Sequence, residues 1–260
     1  MKRPRQGGAI MIYEERMKPT LEDYGKEGRI TAKGVLRMLE NIAAYHSDSL
    51  GYGAGTMDKT GISWILLEWN VRILRMPNYG EVLRVTTWSR GRASRFSSLR
   101  DFEIYGEDGK TCVIASSKWA LIDFATKKPA VIDDELEDIY QTEQKQVFED
   151  GAFMRLLEPR EYSAQTTLSI GRRDIDLNGH VHNLCYLDFA YEALPEAVYR
   201  AEFCDIRIAY RKEIRPYETI ACKYVEKDGA HTVGIYGENG VLRALVAFSG
   251  QKNVFGAAAL

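Results

Sequence analysis

Ile104-Tyr105-Gly106-Glu107-Asp108-Gly109 returns late in the chain almost letter for letter, as Ile235-Tyr236-Gly237-Glu238-Asn239-Gly240. An Asp-Gly or Asn-Gly pair between β-type runs marks a hairpin, because a tight primed turn needs φ > 0 at both central residues. The same turn in the same phrase points to a duplicated β unit. Other features repeat in the same order. Val71-Arg72-Ile73 and Ile206-Arg207-Ile208 each open a strand, and Tyr79-Gly80-Glu81-Val82 and Pro216-Tyr217-Glu218-Thr219 each open the next. A helical pattern precedes the strands in both halves.

The first helix is the clearest. Thr31 is placed to cap it, Val35, Leu39 and Ile42 line one face, and Gly51 can end it. Strand patterns follow at 62–75, 81–90, 95–105 and 111–123. The second helix starts near Asn183, carries Leu184, Leu187, Tyr191 and Leu194 on one stripe, and stops at Pro195. Strands are then expected at 203–214, 217–226, 231–237 and 241–249. Residues 125–160, with acidic Asp133, Asp134, Glu135, Glu137 and Asp138, read as a solvated connection holding at most a short helix. Each half is thus a helix followed by strands joined through tight turns, an α+β arrangement in which an antiparallel sheet wraps the helix. Side by side, two such sheets can run into one another and cover an edge.

The 260 residues are 45% hydrophobic and 28% charged, ordinary for a globular protein. Net charge is −2, which does not advertise nucleic-acid binding. No apolar run is long enough for a membrane span, and the basic N-terminus lacks the apolar stretch of a secretory signal. Cys112, Cys185, Cys204 and Cys222 are scattered, as suits a reducing cytoplasm. There is no G-x-S-x-G elbow of a serine hydrolase, and no phosphate-loop or dinucleotide motif.

Only the second half carries Asp176-Leu177-Asn178-Gly179-His180, just ahead of its helix. In an extended segment Asp176, Asn178 and His180 share one face. The unpaired N–H groups of the helix start could stabilise an oxyanion. A carboxylate, an amide and an imidazole there could hydrolyse an acyl bond, although Asp, Asn and Gly also build plain turns. His180 and His182 form an H-x-H pair with no third strong ligand nearby, so no metal site is expected. Cys185 reads as a core thiol.

The run Arg173-Asp174-Ile175-Asp176-Leu177-Asn178-Gly179-His180-Val181-His182-Asn183, followed by Tyr186, resembles the D-x-D-x-N-x-H-V-N-N-x-x-Y motif of the acyl-acyl carrier protein thioesterases. Tyr210-Arg211-Lys212-Glu213 is similar to that family's Y-R-R-E. Trp64 through Trp88, ending Pro77-Asn78-Tyr79-Gly80-Glu81-Val82-Leu83-Arg84-Val85-Thr86-Thr87-Trp88, resembles its first-half motif. The three cover roughly residues 10–250. The resemblance implies a tandem hot-dog: residues 8–130 an N-terminal hot-dog binding the acyl chain, 131–160 a linker, and 161–255 a catalytic C-terminal hot-dog. It implies hydrolysis of fatty acyl-acyl carrier protein without a cofactor, by Asp176, Asn178, His180 and Glu213. Two positions depart from the pattern. His182 replaces the first Asn of the N-N pair, and Ile214 replaces the Cys of plant members, which removes any cysteine nucleophile there.

Asp176 would act as nucleophile or as base on water. Trp64, Trp69, Trp88, Asn183 and Tyr186 are expected to bind substrate. Acyl carrier protein is acidic, so Arg90, Arg92, Arg95, Arg100, Arg172 and Arg173 are candidates to dock it. The alternatives are an acyl-coenzyme A thioesterase on the same fold and a non-catalytic acyl-binding protein. A monomer and a homodimer both fit.

Overall fold

The computed structural model describes residues 12–149, 153, 155–176 and 179–252. Strand β1 (Tyr13–Met17) leads to α1 (Ala32–Ser49), α2 (Met57–Thr60), β2 (Ile62–Ile73), β3 (Leu83–Ser94), β4 (Ser97–Tyr105) and β5 (Thr111–Asp123). After α3 (Asp134–Tyr140) the series repeats as β6 (Ala164–Ser169), α4 (Asn183–Glu192), α5 (Glu196–Tyr199), β7 (Glu202–Tyr210), β8 (Thr219–Lys227), β9 (Ala230–Tyr236) and β10 (Leu242–Lys252).

The strands form one sheet in the order β1-β3-β4-β5-β2-β7-β10-β9-β8-β6. Replacing each strand by its counterpart in the other half gives the same order read backwards. At the seam, Glu68–Arg72 of β2 pairs antiparallel with Asp205–Ala209 of β7, and Arg72 Nε donates to Asp205 Oδ1 at 2.6 Å. The join leaves no free edge at the centre of the molecule. The fold is therefore the expected α+β tandem hot-dog.

Thr31 Oγ1 accepts the Gly34 N–H at 3.0 Å and starts α1. The apolar face it launches, Val35, Leu36, Leu39 and Ile42, is buried in a cluster that also takes in Leu184 and Leu187 of α4 and strand residues from both halves. The second helix is shorter than the first because Pro195 follows it; Pro195 has no N–H to give and instead begins α5.

Both glycines of the repeated phrase have a physical task. Gly109 (φ +74°) and Gly240 (φ +70°) turn the hairpins in the left-handed region, but Asp108 and Asn239 do not join them there, so neither turn is the primed kind expected; each closes through the glycine N–H to the Gly106 or Gly237 carbonyl. Gly106 and Gly237 make room for charge. A Cβ on Gly106 would run into the Arg75 guanidinium, and one on Gly237 into Glu218 and Arg243. Arg75 pairs with Glu81 at 2.8 Å and Arg243 with Glu218 at 2.6 Å.

Three features differ from the sequence expectation. The edge strands β1 and β6 were not foreseen. Residues 131–140, expected within a solvated linker, fold back onto the first half, where Ile132, Leu136 and Tyr140 bury against Leu121. Asp133 caps α3 through its Oδ1, which accepts the Leu136 N–H at 2.9 Å, so part of the acidic patch sits favourably at a helix start. Trp88, expected to bind substrate, is fully buried core; its Nε1 donates to the Lys145 carbonyl at 2.8 Å.

Candidate active site

Asp174 organises the loop ahead of α4. Its carboxylate accepts the Gly171 N–H at 2.7 Å, and its carbonyl accepts the His182 N–H at 2.8 Å. Between these anchors the chain turns tightly. Asp176 N–H donates to the His180 carbonyl at 2.8 Å, and Gly179 N–H to the Asp176 carbonyl at 3.1 Å. Gly179 takes φ +78° to allow it. The spacing of Asp176, Asn178 and His180 had suggested an extended face; the structure makes a loop instead, with Asp176 Oδ1 accepting the His180 N–H at 3.1 Å. Asn178 and Leu177 lie outside the described residues.

Glu213 reaches this loop from the β7–β8 connection. Its Oε2 lies 3.5 Å from His180 Nε2, and both side chains are more than half exposed. The adjacent Ile214 N–H donates to the Tyr186 hydroxyl at 2.9 Å. Tyr186 is buried and does not line the cavity described below, so it holds the Glu213 segment rather than the acyl chain. Tyr186→Phe leaves that buried N–H without an acceptor, at a cost of about 1–3 kcal/mol. We expect a lower urea midpoint together with a lower kcat. An unchanged kcat would show that Tyr186 does not position Glu213.

His182 caps α4. Its Nδ1 accepts the Leu184 N–H at 3.1 Å. Burial is the main cause that lowers its pKa below the usual histidine value, with Lys33 and Arg37 adding to the shift and Asp176 opposing it. It is thus a neutral ring with a cap to make, and no group of three or more metal-ligating side chains is found among the described residues. Cys185 N–H is taken by the His182 carbonyl at 2.9 Å. That leaves the Asn183 N–H as the first-turn donor with no acceptor among the described residues. The Asn183 carbonyl accepts the Tyr210 hydroxyl at 3.3 Å. Burial pushes the Cys185 thiol up to about 11, which suits a core residue.

The first half contains the same loop with different side chains. Asp23 accepts the Thr20 N–H at 2.8 Å, and its carbonyl accepts the Thr31 N–H at 2.7 Å. Gly25 N–H donates to the Arg29 carbonyl at 2.8 Å and Gly28 N–H to the Gly25 carbonyl at 3.0 Å. Bond for bond, Gly25 stands where Asp176 does and Arg29 where His180 does. Gly28 matches Gly179, both at positive φ. The paired anchors Glu81 and Glu218 place Met76 opposite Glu213. Arg29 is committed to Glu27 and Glu202.

A cavity of about 200 Å³ opens in the first half between α1, β2 and α3. Trp64 lines it, with Nε1 donating to the Tyr140 hydroxyl at 3.0 Å. Trp69, also expected to bind substrate, is instead core, tilted against Phe102. Glu40 of α1 lines the cavity too. Burial pushes its carboxyl up to about 8, with Trp69 opposing. The folded state therefore holds this proton where the unfolded chain has lost it. Stability is lost as pH rises from the unfolded value near 4.5 towards 8. Glu40→Gln removes that slope and becomes more stable than the parent on the alkaline side, by an amount on the order of a few kcal/mol. Urea unfolding at both ends of this range checks it; parallel profiles would show an ionised Glu40.

The arginines divide. Arg90 lies 3.6 Å from buried Asp101 and is only 13% exposed. Arg92 fastens α3 through Asp134 and Glu137 at 2.7 Å. Arg100 is buried in the cavity wall. Arg90 and Arg100 are therefore spent inside the fold, whereas Arg92 is exposed and tied to α3 by its ion pairs. Arg95 is exposed beside Phe96, and Arg172 and Arg173 are exposed next to the loop ahead of α4.

Known proteins share this fold. A solved acyl-ACP thioesterase from Bacteroides thetaiotaomicron superposes with a TM-score of 0.80 over 92% of this chain and 97% of its own, at 23% identity. The 12:0-ACP thioesterase from Umbellularia californica gives 0.82 over 95% and 100%, at 18% identity. In sequence, the chloroplastic oleoyl-acyl carrier protein thioesterase of Coriandrum sativum is 26% identical over 253 residues, 88% of this chain and 67% of that protein. The profile of the acyl-ACP thioesterase N-terminal domain matches residues 11–140, the half with the cavity and the emptied loop. The C-terminal domain profile matches residues 157–241, the half with Asp176, His180 and Glu213. With both halves matched in order, the chain belongs to the acyl-ACP thioesterase family.

Proposed function

We propose that this thioester hydrolase cleaves fatty acyl-acyl carrier protein at the loop ahead of α4, releasing free fatty acid and carrier protein, with Asp176, Asn178, His180 and Glu213 as its catalytic group. One observation carries the assignment of the site. The loop is built twice with the same backbone bonds, and only the second copy carries a carboxylate at Asp176, an imidazole at His180 and a glutamate 3.5 Å from that imidazole. Asp176 attacks the thioester carbonyl or takes the proton of the attacking water. His180 and Glu213 move the proton, and the Asn183 N–H at the helix start faces the developing oxyanion. A thioester is already activated, so no cofactor is called for.

The site separates cleanly from the acyl pocket. The second half holds the reacting groups, and the first half holds the chain in the cavity beside α1. Exposed Arg172 and Arg173 offer the nearby positive face that an acidic carrier protein would meet. We place the protein in the cytoplasm, a reading supported by four free cysteines and by the lack of any helix long and apolar enough to cross a membrane among the described residues.

The test is thiol release from matched acyl-carrier-protein and acyl-coenzyme A thioesters across chain lengths. Faster turnover on the carrier-protein series is the expected result. Charge reversal at Arg172 and Arg173 together should then lower kcat/KM on that series by about tenfold at low salt, with the gap closing as salt rises. Equal rates on both carriers, untouched by the double reversal, would make this a coenzyme A thioesterase. Tight acyl binding without turnover would leave a binding protein.

A further inference from the structure

The cavity of the first half holds a positive charge that the fold does not answer. Arg100 lines it and is only 7% exposed. On β4 it shares one side of the sheet with Phe102 and Ile104, which pack into the core with α1. Its Nη1 donates to His46 Nδ1 at 2.8 Å and to Thr87 Oγ1 at 3.2 Å. Both acceptors are neutral: burial, and after it Arg100 itself, lowers the His46 pKa to about 3. Nε and Nη2 donate to no group among the described residues. Neither atom is sealed in protein, so the cavity that Arg100 lines is where they are reached.

The carboxylates around Arg100 serve other partners. Asp101 accepts the Ser116 hydroxyl and, at 3.0 Å, the Val147 N–H, with Arg90 at 3.6 Å. Glu137, in the cavity wall, pairs with Arg92 at 2.7 Å and accepts the Arg92 N–H at 2.8 Å. The Tyr140 ring, 5.7 Å from the guanidinium, offers an aromatic face and no counter-charge. Burial lowers the Arg100 pKa to about 10, with Tyr140 opposing, so the group stays protonated at neutral pH. An enclosed charge without a counter-charge is among the costliest groups a fold can carry.

The repeat supplies a comparison. In the register that sets Ile104 against Ile235, Arg100 corresponds to His231 of β9. His231 is also 7% exposed, but its Nδ1 bonds the Tyr224 hydroxyl at 2.8 Å and its ring packs against Phe203. The second half thus fills this position with a satisfied ring. The first half sets a cation there, in the wall of its cavity.

We propose that the cavity binds a carboxylate carried on a hydrocarbon stem, with the Arg100 guanidinium as its anchor. Nε and Nη2 form the fork that a carboxylate meets with two parallel bonds. Trp64, Leu99, Ile132 and Leu136 give the stem apolar walls. The methyl end of a saturated chain would bring the guanidinium nothing. The carboxylate has two sources, a free fatty acid entering head first or an acyl chain that ends in a second carboxylate. Only the second source rests on the reading of the protein as an acyl thioesterase.

The experiment titrates the protein with octanoate and with methyl octanoate at neutral pH, in a calorimeter. Octanoate should bind tighter by about tenfold or more, the worth of one charge-assisted hydrogen bond. Arg100→Met should remove that preference and keep the affinity for the ester, which shows the cavity intact. Equal affinities in wild type, a comparison that needs no variant to fold, would overturn the proposal. So would a preference for octanoate that survives in Arg100→Met. Hydrolysis of octanoyl thioester and of the monothioester of octanedioic acid then separates the sources. Faster turnover of the diacid, lost in Arg100→Met, makes the carboxylate part of the substrate. Faster turnover of the plain thioester, inhibited competitively by octanoate, makes it the free acid. Protein that hydrolyses neither yet prefers octanoate through Arg100 would sink the enzyme reading and leave this site standing.

Discussion

Asp176→Asn will lower kcat/KM on an acyl thioester by about 10²–10⁴, the range over which a positioned acid or base acts, while leaving the protein folded. The substitution is close to isosteric, and the amide oxygen can still accept the His180 N–H that Oδ1 now accepts at 3.1 Å. The loop does not depend on that side chain. Its counterpart closes with the same 2.8 Å bond from a glycine, Gly25 N–H to the Arg29 carbonyl. The first half is in effect a natural control: the backbone of this loop forms where the carboxylate is missing. A loss of activity in Asp176→Asn is therefore a loss of chemistry, and its unfolding free energy in urea should stay within about 1 kcal/mol of the parent. Single-turnover hydrolysis in ¹⁸O-water then tests Asp176 as nucleophile. Label entering its carboxylate marks a nucleophile; label found only in the fatty acid is produced by a base and equally by an anhydride opened at the acyl carbon. A fall smaller than about fivefold in kcat/KM would remove Asp176 from the reaction.

Much of this fold was legible because its strongest signals are local. The Thr31 cap, the Val35–Leu39–Ile42 face and both hairpins form where the residues call for them, although only the glycine of each Asp-Gly or Asn-Gly pair takes positive φ. What escaped depends on neighbours that only the fold supplies. β1 and β6 are short edge strands with mostly exposed side chains, so no alternation of apolar residues announces them; their backbone bonds come from β3 and β8. The acidic stretch after Asp133 reads as solvated until α3 turns Leu136 and Tyr140 inward. That fold-back is also what consumes Arg92. Trp64 and Trp88 carry the same side chain at the two ends of one motif, and only the path of β2 and β3 decides that one faces the cavity and the other the core.

The candidate site was legible in composition and not in shape. Asp176, His180 and Glu213 were picked out by motif, yet the loop that presents the first two was hidden. The two copies share little beyond Asp23 with Asp174 and Gly28 with Gly179, the residues that hold the backbone.

Glu218→Ala should be the most destabilising single change near the site, costing about 3–5 kcal/mol, the usual effect of stripping one partner from a buried ion pair. Glu218 and Arg243 are each only 6% exposed. The carboxylate accepts from Arg243 Nη2 at 2.6 Å, from the Arg215 N–H at 2.8 Å and from the Glu238 N–H at 3.1 Å. One side chain thus ties the β7–β8 connection to the β9–β10 hairpin. Removing it leaves a guanidinium enclosed without its counter-charge, where Arg243 Nε already lacks a partner. Two N–H groups also lose their acceptor. Glu213 belongs to the same connection, two residues before Arg215, so the damage should reach catalysis: kcat should fall even at temperatures where the variant is fully folded. Replacing both members, Glu218→Leu with Arg243→Met, should recover much of the stability, because no lone charge is then buried. It should not recover kcat, because the Arg215 N–H is still unheld. Full recovery of both would show that the pair supports the fold and has no part in placing Glu213.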